Sequence, residues 1–122
     1  MTSITDHQRD YAMVKEWELQ AYVSTQLKRM NILHHGDQNA GKRGPQAAAM
    51  MKATGACRGW PDMVIVPYPD VIVFVEFKTG RGSLSKEQKE LHENMQLLGF
   101  PVKVVQTDCK YDAWDQVREL LQ

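Results

Sequence analysis

Two short apolar runs, rich in β-branched residues, most constrain how this chain can fold. They span positions 63–66 (Met-Val-Ile-Val) and 71–75 (Val-Ile-Val-Phe-Val), and a Pro-Tyr-Pro-Asp stretch at 67–70 separates them. Runs of this length and composition favour strands over helix, and the proline-rich stretch favours a turn. The segment therefore predicts a β-hairpin centred near Pro69.

The hairpin is framed by two acidic residues at equal distances from that centre. Asp62 lies seven residues before Pro69 and Glu76 lies seven after it, so antiparallel pairing would place the two opposite each other. Directly opposed Cβ atoms are about 4.5–5.5 Å apart. Lys78 shares a strand face with Glu76, because side chains alternate between faces. We therefore expect two carboxylates and one amine at one end of the hairpin.

Such a cluster is typical of a metal site. Two carboxylates at this distance repel each other, and a hard divalent cation with oxygen ligands, such as Mg²⁺ or Mn²⁺, would offset that repulsion. A plain surface hairpin with a Glu–Lys pair at its end is the alternative. The cluster is favoured because Glu76 and Lys78 interrupt an otherwise apolar strand, and because Gly59-Trp60-Pro61 restricts the approach to Asp62.

Composition indicates one soluble domain over residues 1–122, and no apolar run approaches the length of a membrane span. Two widely separated cysteines fit free thiols in a reducing cytoplasm. Fifteen basic residues balance fifteen acidic ones, so net charge gives no indication of nucleic-acid binding. A local basic patch is still available around the hairpin, formed by Lys42, Arg43, Lys52, Arg58, Lys78, Arg81, Lys86 and Lys89.

The flanking segments predict helices and further strands. A helix is expected over about 5–30, with Leu19, Val23, Leu27 and Met30 as its buried stripe. Further elements are an edge strand near 31–35, a helix over about 45–54, a helix that Ser83 or Ser85 caps and that runs to about Leu98, a strand over about 101–106 and a helix over about 111–121. The apolar face of the helix that ends near Leu98 is expected to comprise Leu84, Leu91, Met95 and Leu98. Pattern alone supports a mixed sheet with helices on its faces.

Glu16 falls on the buried stripe of the first helix, three residues before Leu19. A carboxylate on a core-facing side requires a reason. A solvated position at a frayed helix end is the alternative to a role in the site.

The chain resembles the VRR-NUC (virus-type replication-repair nuclease) branch of the PD-(D/E)xK nucleases. The signature is Pro61-Asp62 followed by Glu76-Phe77-Lys78, and the resemblance runs from about Lys15 to Thr107. Supporting segments lie at 39–43 (Asn-Ala-Gly-Lys-Arg), 52–55 (Lys-Ala-Thr-Gly), 59–62 (Gly-Trp-Pro-Asp) and 84–88 (Leu-Ser-Lys-Glu-Gln). Trp60 departs from the pattern, where a small or aliphatic residue is more usual.

The resemblance implies a restriction-endonuclease-like αβββαβ core and a metal-dependent DNA endonuclease. It implies that Asp62, Glu76 and the Phe77 carbonyl bind Mg²⁺ or Mn²⁺, with Glu16 contributing directly or through water. Lys78 would position the attacking water or stabilise developing charge. Gln88 would approach the site, although it also fits a helix capping box with Ser85, and His92 one turn later fits packing or exposure better than catalysis.

Contacts to DNA phosphates are expected from the glycine-rich loop and from cations beside the site: Asn39, Lys42, Arg43, Lys52, Arg58 and Arg81. Small free-standing relatives look like structure-selective or junction-resolving enzymes of phages and related elements, so the expected partner is branched DNA. A two-fold symmetric junction requires two active sites, which predicts a homodimer. The alternatives are a non-catalytic DNA-binding or assembly module with the same fold, and a metal-binding domain acting on RNA or a small phosphorylated molecule.

Overall fold

The computed structural model describes residues 14–37 and 44–122 of the chain. Its helices are α1 (Glu16–Arg29), α2 (Pro45–Ala53), α3 (Lys86–Leu97) and α4 (Lys110–Leu120), and its strands are β1 (Leu33–Gly36), β2 (Met63–Val66), β3 (Val73–Lys78) and β4 (Val102–Gln106). The strands form one mixed sheet in the order β1-β2-β3-β4. The first three strands run antiparallel and β4 runs parallel to β3, so the predicted α/β restriction-endonuclease-like class is confirmed, with α2 inserted between β1 and β2.

The hairpin has the predicted register. Met63 pairs with Val75 and Ile65 with Val73, which makes Asp62 and Glu76 the next opposed positions beyond the ladder. The second strand is shorter than predicted, because Val71 and Ile72 remain exposed in the turn. Asp70 has a left-handed φ of 66°, and the Val71 N–H donates to the Tyr68 carbonyl at 3.3 Å, so the turn continues past position 70.

One face of the sheet forms the core with α1 and α4. Leu19, Val23 and Leu27 pack against sheet residues that include Ile65 and Phe77, and the core is completed by Met63, Val75, Val105, Ala113, Val117 and Leu121. Side chains alternate along β3, so its even-numbered residues point to the other face. That face therefore carries Phe74, Glu76 and Lys78.

Three predicted details of the helices are wrong, for local reasons. Helix α1 begins at Glu16, because the Lys15 carbonyl accepts its first hydrogen bonds, so Val14 and Lys15 are not helical; positions 5–13 of that prediction lie outside the described residues. Met30 is exposed rather than buried, because the helix stops there and Asn31 follows with a φ of 56°. Leu98 is 76% exposed instead of lying on the apolar face of α3.

The start of α3 agrees with prediction. The Ser85 side chain accepts from the Gln88 N–H at 3.1 Å, and the Gln88 Oε1 accepts from the Ser85 N–H at 2.8 Å. These two bonds form the predicted capping box. No helix in the described ranges is both long enough and apolar enough to traverse a membrane.

Candidate active site

Three charged side chains are buried within the described ranges, and they are Asp62, Glu76 and Lys78. Asp62 directly precedes β2, and Glu76 and Lys78 lie on β3, so the hairpin register brings the two acids together. Burying charges is unfavourable unless they are paired or neutralised. The cluster predicted from the sequence is therefore present, and it needs a source of compensation.

Asp62 is fixed through both its side chain and its backbone. Its Oδ2 accepts the Phe77 N–H at 2.8 Å, which ties it to the neighbouring strand just beyond the ladder. Its carbonyl accepts the Asp37 N–H at 2.8 Å and the Gln20 Nε2 at 3.4 Å. These hydrogen bonds hold the Asp62 carboxylate in a fixed position.

Glu76 is 1% exposed, and its Oε1 has no hydrogen-bond partner within the described part of the chain. Burial, followed by the hydrogen bond and the negative charge of Asp62, raises the pKa of Glu76 to about 9. Lys78 acts in the opposite direction. At neutral pH the Glu76 carboxyl therefore keeps its proton, and its O–H donates a hydrogen bond to Asp62, which relieves the repulsion between the two acids.

The acid pair fits a hard divalent cation. The described residues contain no group of three or more His, Cys, Asp or Glu side chains arranged for a metal. Mg²⁺, however, is commonly bound by one or two carboxylates together with water and substrate phosphates. Two carboxyl groups, one with an unpartnered buried oxygen, and the adjacent Phe77 carbonyl supply that kind of donor set.

Glu16 lies beside Lys78 at the edge of the cluster. The Glu16 Oε1 is 3.8 Å from the Lys78 Nζ. As the first residue of α1, Glu16 is half-exposed rather than buried with the stripe that begins at Leu19. The structure therefore brings Glu16 to the site, at its solvent side.

A cleft of about 1040 Å³, the first cleft, opens onto these four residues. It is also lined by Gln88, Lys52 and Arg58. Arg58 is exposed and pairs with Glu87 at 3.9 Å. Arg81 is exposed and does not line this cleft, whereas the predicted DNA contacts Asn39, Lys42 and Arg43 lie outside the described residues.

His92 is closer to the site than its sequence context suggested. Its Nε2 is buried and has no hydrogen-bond partner among the described residues. Burial lowers the pKa of His92, and the charges of Asp62 and Lys78 both act on it. The available signal in the sequence was its spacing of one helical turn from Gln88.

Gln20 lies one turn after Glu16, a spacing that predicts support for that acid, whereas its hydrogen bonds go to two backbone carbonyls. Its Nε2 donates to the Asp37 carbonyl at 3.1 Å as well as to that of Asp62. A Cβ at Gly36 would lie 2.7 Å from the same nitrogen, so the glycine leaves room for this contact. The spacing between Glu16 and Gln20 was the only sequence signal for it.

Comparison with known proteins identifies one family. A family model described as the VRR-NUC domain matches residues 4–108. A solved structure described as a VRR_NUC domain protein is 22% identical, with 87% of each chain covered and a TM-score of 0.60. A second, described as a VRR_NUC domain, is 23% identical, covers 87% of this chain and 92% of its own, and has a TM-score of 0.55. These two structures establish similarity of fold, and no curated protein matches the chain.

Proposed function

The chain belongs to the VRR-NUC domain family, and on that premise we propose that it is a divalent-metal-dependent endonuclease that hydrolyses phosphodiester bonds in DNA. The observation that carries the proposal is the buried cluster of Asp62, Glu76 and Lys78 at the floor of an open cleft. Stability alone does not account for such a cluster, because burying ionisable groups is unfavourable even when one of the two acids keeps its proton. Perturbed carboxyl groups in a cleft are typical of functional sites.

Each residue has a proposed role. Asp62 and Glu76, with the Phe77 carbonyl, would hold Mg²⁺ or Mn²⁺, and Glu16 would contribute directly or through a water. The ion supplies charge stabilisation on the phosphate and lowers the pKa of a bound water. Lys78 positions the attacking water or stabilises the charge that develops on the phosphate. The proposed products are a 5′-phosphate and a 3′-hydroxyl.

Other side chains hold or align the DNA in this proposal. Gln88 approaches the substrate from the first turn of α3, where its oxygen is already fixed by the Ser85 N–H. Lys52 and Arg58 line the first cleft and contact phosphates. Arg81, from the loop after β3, adds a further phosphate contact, as do Asn39, Lys42 and Arg43.

We propose branched or junction DNA as the substrate and a homodimer as the active form, because a two-fold symmetric junction presents two strands for cleavage. Support for self-association comes from exposed leucines at the end of α3, Leu97 and Leu98, beside the exposed Phe100. Contiguous exposed apolar residues of this kind mark interaction sites. Sedimentation velocity of the wild type and of Leu98→Lys tests this part, and a monomeric wild type would contradict it.

Cleavage assays with flapped, forked, four-way and linear DNA test the central proposal, with and without Mg²⁺ or Mn²⁺. We expect metal-dependent cutting by the wild type and a loss of about 100-fold or more in Asp62→Asn, Glu76→Gln and Lys78→Ala. Asp62→Asn keeps an acceptor for the Phe77 N–H, so its loss of activity would not reflect a lost backbone contact. Lys103→Ala, an exposed lysine on β4, is the matched control and should retain activity.

Two results would contradict the proposal. Activity that survives in Asp62→Asn would remove that residue from the chemistry. A wild type that binds DNA but cuts none of the substrates with either metal would favour the non-catalytic DNA-binding module instead.

A further inference from the structure

Two of the three tryptophans are exposed close to the acid pair. Trp17 is 55% exposed and Trp60 is 38% exposed, whereas Trp114 is partly buried against the core. Tryptophan is usually well buried because of its large apolar surface. An exposed ring on either side of a candidate active site is therefore a feature to explain.

The two rings lie in different clefts that share the same acids. Trp60 lines the first cleft. Trp17 lines a second cleft of about 800 Å³. Glu16 and Asp62 line both clefts, so the acids lie where the clefts adjoin, with one tryptophan on each side.

Helix α1 carries Trp17, whereas Trp60 lies in the loop before β2 and packs against the sheet. Trp60 contacts Phe74 of β3 edge-to-face, with centroids 5.9 Å apart and planes at 84°. Phe74 in turn contacts Phe100 in the same way, at 6.3 Å and 85°. Trp17 is the second residue of α1, a helix anchored by the buried Leu19. The helix therefore fixes the position of Trp17, and the ring contact with Phe74 restrains Trp60.

Positively charged side chains line both clefts as well. Lys52 and Arg58 line the first cleft, and the exposed Lys28 lines the second. Trp17 and Lys28 are separated by eleven residues of helix, which is about 16 Å. At about 3.4 Å per nucleotide along a stacked strand, this is room for about five nucleotides.

We propose that the two clefts bind one DNA strand with unpaired nucleotides on both sides of the phosphate to be cut, and that Trp60 and Trp17 stack against bases from that strand. Stacking requires an accessible base face, which paired and stacked duplex DNA does not offer. Phosphate contacts alone would need only cations. The proposal deepens the endonuclease function and rests on it for the meaning of the shared acids. It predicts cutting at unpaired nucleotides near the branch point of flapped, forked or junction DNA rather than within fully paired arms.

Binding without cleavage gives the direct test. The probes are a 12-nucleotide single strand and a blunt duplex of the same sequence, measured in EDTA so that no strand is cut. Two double variants leave one ring near the site: Trp17→Phe with Trp114→Phe, and Trp60→Phe with Trp114→Phe. We expect the single strand to quench the fluorescence of both proteins and the duplex to quench neither.

Substitutions then measure the contribution of each ring. Trp17→Leu and Trp60→Leu keep apolar bulk but remove the stacking surface, and each should weaken single-strand binding about 5- to 150-fold. Duplex affinity should change by less than about twofold, and Trp17→Tyr should restore most of the single-strand affinity. Trp114→Phe is the matched control and should bind both probes as the wild type does.

The outcomes separate this inference from the endonuclease proposal. Unchanged single-strand affinity in both leucine variants, or equal quenching by duplex and single strand, would overturn the proposed stacking of bases on the two tryptophans even if the enzyme cuts DNA. Selective single-strand binding by a protein that cuts nothing with Mg²⁺ or Mn²⁺ would support base stacking on the tryptophans and would overturn the endonuclease proposal.

Discussion

Replacing Glu76 by Gln tests the central electrostatic feature of the site. Burial beside Asp62 raises the pKa of Glu76 to about 9 from an ordinary value of 4.5. Between those values the folded protein holds a proton that the unfolded chain has released. Metal-free stability must therefore fall as pH rises through this window. The limiting slope for one proton is about 1.4 kcal/mol per pH unit, or up to about 2.7 kcal/mol between pH 6.5 and 8.5.

The window is chosen to avoid an opposing effect. The pKa of His92 is lowered, so below its ordinary value the unfolded chain binds the extra proton and stability rises with pH. Starting at pH 6.5 keeps most of that contribution out of the measurement.

Urea unfolding in EDTA at pH 6.5, 7.5 and 8.5 measures the effect. Wild type should lose stability across the series, and Glu76→Gln should remove most of the slope because the amide stays neutral. Glu119→Gln, an exposed acid on α4, should keep the wild-type slope. Added Mg²⁺ should stabilise the wild type more at pH 8.5 than at pH 6.5, because the carboxyl must lose its proton to bind metal. A wild-type slope that is flat or rising, or one that Glu76→Gln leaves unchanged, would refute the reasoning.

Three further substitutions probe how the site is held. Gly59→Ala should destabilise by several kcal/mol in urea unfolding, because Gly59 has a φ of 80° and a Cβ there would lie 2.9 Å from backbone atoms of Glu87; a loss under about 0.5 kcal/mol would contradict this. Ser85→Ala removes the capping box and should cost about 1 kcal/mol in the same measurement, with no loss if the cap is unimportant. Gly36→Ala should displace Gln20, since a Cβ would lie 2.7 Å from its Nε2; an unshifted Gln20 side-chain amide resonance in NMR spectra would argue against that contact.

Sequence alone predicted the parts of the fold that depend on local pattern. The position of Pro69 between two apolar runs determined the register, because a hairpin with one buried face tolerates no slip of one residue. The capping box at Ser85 was also readable, since its chemistry involves residues only three apart. The start of β3 could not be predicted in this way. The left-handed conformation of Asp70 lengthens the turn, and no sequence rule requires that conformation at this position.

The tertiary part of the site was only partly predictable. The pairing of Asp62 with Glu76 followed from the hairpin, but the proton they share depends on how deeply the assembled fold buries them. Gln20 contacts Asp62 across 42 positions in the sequence, and His92 approaches from a separate helix. Contacts of that range are set by the packing of α1 and α3 on the sheet, which the periodicity of either helix does not specify.

Asp62 and Lys78 are held to different degrees, which fits different roles for the two side chains. Asp62 is held by three hydrogen bonds that involve backbone atoms, so its position is set before any ligand arrives. Lys78 is buried, but its Nζ lies 3.8 Å from the Oε1 of the half-exposed Glu16, which is too long for a hydrogen bond. In the proposed endonuclease, a phosphate that enters the cleft would draw the lysine from Glu16 at small cost, while the aspartate stays fixed. Preorganisation of the acid and freedom of the amine are what a site needs if one group holds a cation and the other follows the developing charge.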